Sequence, residues 1–170
     1  MTKGVGVAKK TAYGGVMTAC ALIFSYVEYL IPINIGFPGI KLGLANIVTV
    51  IALYGLGEKY AFAINIMRIF LAALLFTGIF GMMFGLCGGV LSLAAMALLK
   101  RTDVFGVTGV SVTGGVVHNM GQFLIAVMFI ANFAALYYLP VLILSGAAAG
   151  LFIGLLSDII LKRLAAFLLQ

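Results

Sequence analysis

Apolar side chains run through this chain in long blocks, and polar residues are mostly confined to the joints between them. A helix that crosses the hydrocarbon core of a bilayer needs about 20 mostly apolar residues. The blocks predict six such helices, over 12–31, 42–56, 60–77, 80–99, 107–130 and 138–161. The second block is short and recruits part of the preceding loop, with Lys41 reaching up to the headgroups. The joints are recognisable. Pro32 and Pro38 bracket a glycine-rich loop, Gly57-Glu58-Lys59 reads as a tight turn, a short glycine-containing link follows 77, and Lys100-Arg101-Thr102-Asp103 closes the fourth block. The expected fold is an all-α integral membrane bundle of six transmembrane helices, forming one transmembrane domain over residues 1–170.

Composition agrees with this pattern. The chain is 65% hydrophobic and 8% charged, far from the roughly 25% charge of a soluble domain. Its formal net charge of +6 could suggest a nucleic-acid partner, but the charges sit at block ends and form no stripe. They act instead as topology signals. With six spans, Lys3, Lys9, Lys10, Lys59, Lys100, Arg101, Lys162 and Arg163 share one side, and Lys41 alone marks the other. Positive charge marks the cytoplasmic face, so both termini are expected in the cytoplasm. Tyr26, Tyr29, Tyr137 and Tyr138 fall near the outer ends, as an interfacial belt would. The basic N-terminus followed by an apolar run resembles a signal peptide. The run outlasts a signal core and has no clean cleavage site, so it is read as the first, retained membrane helix. Cys20 and Cys87 lie inside apolar runs and give neither metal-ligand spacing nor a disulfide framework. No metal or cofactor is expected.

Against this background the polar residues inside the blocks stand out. A charged group within a span costs at least about 2.5 kcal/mol, so it faces a cavity or a partner. Arg68 is near the middle of the third span, with Asn65 one turn before it. His118 and Gln122 are four residues apart and share a helix face, with Asn119 adjacent. Glu28 ends the first span, Asn46 lies in the outer part of the second, and Lys41 guards the outer loop. Helix direction puts all of them between mid-membrane and the outer surface, and leaves the inner half of every span nearly free of polar side chains. One polar cavity, open to the outside and sealed below, is expected. Arg68, Lys41 and, when protonated, His118 against Glu28 make it lean positive, which suits a carboxylate or phosphate bound by charge-assisted hydrogen bonds. Each residue also has a structural role available. Arg68 is a strut if it pairs with Glu28 or helix carbonyls. His118 is a satisfied core histidine if its partners are internal, and Asn119 and Gln122 serve as interhelical hydrogen-bond bridges. Gly81, Gly85, Gly88 and Gly89 on the fourth span and Gly114, Gly115 and Gly121 on the fifth either permit close packing or leave room for a ligand.

The segments YVEYLIP (26–32), PGIKLGLANIVTVIALY (38–54), GVSVTGGVVHNMGQ (109–122) and YYLPVLILSG (137–146), with the lone arginine at 68, resemble the bacterial Gx transporter family, often labelled heptaprenyl diphosphate synthase component I. The resemblance covers nearly the whole chain. That family is similar to the substrate-binding S components of energy-coupling factor (ECF) transporters. The resemblance therefore implies a multi-pass subunit of the bacterial cytoplasmic membrane, surrounded by lipid. It would capture a small metabolite from outside and dock on a transmembrane coupling protein with two ATPases. It also implies a coupling-protein contact on the first helix, where Ala8, Ala12, Gly15 and Ala19 form a small-residue pattern. The chain has no Walker motif, so ATP hydrolysis would belong to the partners. The reading is of a transport subunit and not an enzyme.

Two other classes compete. A membrane scaffold for a flavin- or quinone-linked electron-transfer partner would use a greasy cavity for a quinone, but no haem-ligand histidine pair or cysteine cluster is present. An isoprenoid-synthesis subunit would need carboxylate clusters to hold magnesium on diphosphate. The four acidic residues Glu28, Glu58, Asp103 and Asp158 are scattered.

Overall fold

A computed structural model describes residues 6–31, 43–130 and 133–168. Six α-helices appear among them: α1 (Val7–Leu30), α2 (Leu44–Gly55), α3 (Glu58–Ala72), α4 (Gly78–Arg101), α5 (Val107–Ile130) and α6 (Leu139–Leu168). The π-helical turn Ala73–Thr77 joins α3 to α4, and the 3-10 turn Phe133–Tyr138 leads into α6. Pro140 sits in the first turn of α6, where its missing N–H removes no helix bond. The described residues are all-helical, and their apolar helices fit a membrane bundle.

The element boundaries correct the sequence reading at several joints. The first helix begins at Val7, the fourth at Gly78, and the sixth runs from Leu139 to Leu168. Gly57-Glu58-Lys59 is not a turn. Gly57 alone breaks the chain at φ 100°, a conformation open to glycine, and Glu58 already starts α3. No separate loop divides α3 from α4 either. The helical backbone runs through 58–101, a 44-residue stretch that would be about 66 Å long if straight. It is not straight, because Glu58 at one end grips Arg101 at the other through Nε to Oε1 at 3.0 Å and Nη2 to Oε2 at 2.5 Å. The fold-back is at Gly78, with φ 68° and ψ −174°. The antiparallel register follows: Gly85 lies against Ile69 and Gly89 against Asn65.

By length and hydropathy, four stretches are able to cross a membrane: Val7–Leu30, Glu58–Arg101 (the folded-back pair), Val107–Phe129 and Leu136–Ala166. The 12-residue α2 is shorter and nearly surrounded, with Ala45 and Ile47 through Leu53 all buried. Its neighbours present large apolar side chains outward, Leu74 at 82% exposure, Met128 at 79% and Leu144 at 70%. A surface this greasy is stable only against lipid or a partner.

In lipid, apolar contact alone does not draw helices together, so small residues and interhelical hydrogen bonds matter more. The α5–α6 seam is built that way. A Cβ at Gly146 would lie 2.6 Å from the Gly115 carbonyl oxygen, one at Gly150 2.6 Å from that of Ser111, and one at Gly154 2.7 Å from Thr108 Cα. Ser111 Oγ donates to the Gly150 carbonyl at 2.8 Å. On the other side of α5, Gly121 approaches Gly88, and Ser92 Oγ donates to the Gly114 carbonyl at 2.8 Å. The main core gathers Val50, Leu53, Ala61, Ile64, Leu93, Met96 and Val110 from α2, α3, α4 and α5. It lies toward the end of the bundle that carries Glu58 and Arg101. At that end Lys100 Nζ also donates to the Leu53 carbonyl at 2.7 Å and stands over the Tyr54 ring.

Candidate functional site

The opposite end of the bundle is hollow. A cavity of about 290 Å³ opens between the C-terminal turns of α1 and α3, the N-terminal turns of α2 and α4, and the facing stretches of α5 and α6. Six of the eight residues expected at a ligand site line it: Glu28, Asn46, Arg68, His118, Asn119 and Gln122. They come from α1, α2, α3 and α5, so the fold gathers at one depth residues that are up to 94 positions apart (122 − 28). Asn65 does not line the cavity. It stands one turn behind Arg68 and accepts a hydrogen bond from Nη2 at 2.8 Å through Oδ1. Lys41 lies outside the described residues.

Arg68 is the one arginine on the cavity wall. Besides Asn65, its Nη1 donates to Ser25 Oγ at 3.1 Å. Both partners are neutral. The Nε–H is buried with no hydrogen-bond partner, and among the described residues no carboxylate lies within ion-pair distance of the guanidinium. The expected strut with Glu28 is therefore not formed. Glu28 is engaged elsewhere, its Oε1 accepting a short hydrogen bond from the Gly43 N–H at the start of α2. A helix N-terminus attracts negative charge, so this carboxylate ties α1 to α2 beside the cavity.

Asn119 takes the bracing role. Its Nδ2 donates to the Leu142 carbonyl at 2.8 Å and to Ser145 Oγ at 3.2 Å, which fixes α5 to α6. The His118 ring lies over Gly88, so close that a Cβ there would stand 3.2 Å from Cε1. The glycines divide between their two possible uses. Gly81 and Gly85 line the cavity, Gly88, Gly89, Gly114 and Gly121 are pressed against neighbouring helices, and Gly115 does both, lining the cavity and touching Gly146.

Sequence reasoning missed Ser25, Tyr29, Phe76 and Thr77, all on the wall. Ser25 had a signal, because it lies three residues before Glu28 on the same helix face. Phe76 had none. The π-helical turn aims it back at α1, where it meets Tyr29 at 5.2 Å and Tyr26 at 5.5 Å between ring centroids. Ala8, Ala12, Gly15 and Ala19 are all exposed on α1, while the adjacent Gly14 is buried against Tyr60. Among the described residues no group of three or more His, Cys, Asp or Glu side chains comes together.

The family model described as heptaprenyl diphosphate synthase component I matches residues 17–160. No curated protein and no solved structure matches the chain.

Proposed function

Because the chain belongs to the heptaprenyl diphosphate synthase component I family, also called the Gx transporter family, we propose that it is the solute-binding membrane subunit of an energy-coupling factor type importer. The observation that carries this reading is the placement of polar groups: one polar cavity at one end of an otherwise apolar bundle, with an unpaired guanidinium in its wall. A buried charge with only neutral partners is costly unless it faces a cavity or a partner.

In this reading the chain forms a single transmembrane domain that crosses a bacterial cytoplasmic membrane six times, with α3 and α4 as separate crossings. Both termini and the Glu58–Arg101 end face the cytoplasm, and the cavity faces out. Glu28, Asn46, Arg68, His118 and Gln122 bind a small anionic or amphipathic metabolite. Asn65 and Asn119 hold that wall in place. The exposed Ala8, Ala12, Gly15 and Ala19 of α1 offer a smooth face to a transmembrane coupling protein, whose ATPases supply the energy.

The test is native mass spectrometry of gently extracted protein. A small molecule should co-purify, and Arg68→Ala should lose it, with affinity lowered by about 2–5 kcal/mol as for a desolvated charge contact. Unchanged affinity in a folded variant would remove Arg68 from the site. The family description favours a second reading, a membrane partner of isoprenoid or quinone synthesis. Stoichiometric co-purification of a soluble prenyl synthase or redox protein, with no bound solute, would support it instead.

A further inference from the structure

The cavity wall carries information about the head group of its ligand. Arg68 presents five N–H donors. Two are spent on Ser25 and Asn65, which leaves one N–H on each terminal nitrogen, enough for the two oxygens of a carboxylate. It is the only arginine or lysine on the described wall. Phosphate groups carry about −1.5 to −2 charges at neutral pH, and sites that hold them use several cations, a metal ion or free helix N-termini. Neither a second arginine or lysine nor a metal-holding cluster is on offer among the described wall residues. No acidic cluster gathers to hold magnesium. The α2 N-terminus, which opens onto the cavity, is already occupied by the chain's own Glu28 carboxylate. Glu28 and Arg68 together leave the described wall with no net formal charge, so a second negative charge on the ligand would meet Glu28 unopposed.

Part of the remaining wall is apolar, set beside the neutral polar side chains of Asn46 and Gln122. Ile69, Ala72, Phe76 and Ile153 face the same space as the guanidinium. Its volume of about 290 Å³ is at the lower edge of ligand pockets, which run from about 300 to 1,000 Å³. It has no room for a heptaprenyl chain.

We propose that this cavity selects a compact monocarboxylate with an apolar body and discriminates against phosphate and diphosphate esters, the family description notwithstanding. This rests on the reading of the chain as a solute-binding subunit.

The experiment uses the full chain in lipid nanodiscs with three probes: phenylpropionate, phenylethylphosphonate and geranyl diphosphate. Thermal stabilisation is titrated at a pH where the phosphonate is a dianion. Phenylpropionate should bind at least about tenfold more tightly than either of the others. Glu28→Gln, which keeps the acceptor for Gly43 but removes the charge, should narrow the gap between carboxylate and phosphonate. Equal or tighter binding of the phosphonate or the diphosphate would overturn the proposal, as would an unchanged gap in a folded Glu28→Gln variant. If none of the probes binds, the monocarboxylate class is wrong. The solute-binding reading then survives only if a small molecule still co-purifies with the protein, and it falls with the proposal if none does.

Discussion

The two ends of the bundle are built from the same six helices and obey opposite rules. At the Glu58–Arg101 end, three cations are tied down: Arg101 on Glu58, Lys100 on the Leu53 carbonyl, Lys162 on Asp158 at 2.6 Å. Above these pairs lies a continuous core of Leu53, Ile64, Leu93 and Val110. At the cavity end, a buried arginine is left with neutral partners and the helices part around empty volume. The contrast teaches where the stability is concentrated. The closed end packs its apolar groups into one continuous core, so it can hold the helices in register while the guanidinium at the other end keeps only neutral partners.

Substitutions should separate the two ends. Leu53→Ala empties a fully buried core position and should destabilise the fold by about 2–5 kcal/mol. Thermal unfolding in detergent would register the loss, while solute affinity measured below the transition should stay within twofold. A parallel loss of affinity would show that the two ends are not separable. Gly154→Ala puts a methyl group against Thr108 Cα, backbone that cannot move aside, and should lower stability by about 1–3 kcal/mol. The same substitution at Gly85, on the cavity wall, meets only Ile69 Cγ2 at 3.1 Å, the end of a side chain. Gly85→Ala should change the melting temperature least and weaken solute binding most for its size. If it instead unfolds the protein and leaves binding intact, Gly85 belongs to the packing and not to the cavity.

The division between the ends was partly legible in the sequence. Arg68, His118 and Gln122 could be assigned to one depth because helix direction and rise fix depth, and the structure does place them around one cavity. What could not be read was which polar group faces the cavity and which faces a neighbour. Asn119 and Gln122 look alike as sequence, yet Asn119 is spent on Leu142 and Ser145. That difference depends on the distance between helices, set by contacts such as Gly115 on Gly146 far along the chain. The joints failed for a related reason. Apolar pattern locates the middles of helices, whereas Gly78 folds a continuous helical backbone through a single residue with no polar loop to announce it.

The shortness of α2 bears on how far a solute has to move. Its 12 residues span about 18 Å, against a hydrocarbon core of about 30 Å. If its Leu53 end is anchored at the cytoplasmic boundary beside Lys100, its Gly43 end stops well short of the opposite surface, beside the cavity. A molecule resting on Asn46 would then have descended through roughly a third of the bilayer before any helix shifts. On the proposed reading, the work left to an energising partner would be to open the plug of Val50, Leu53 and Leu93, not to carry the solute across the full thickness.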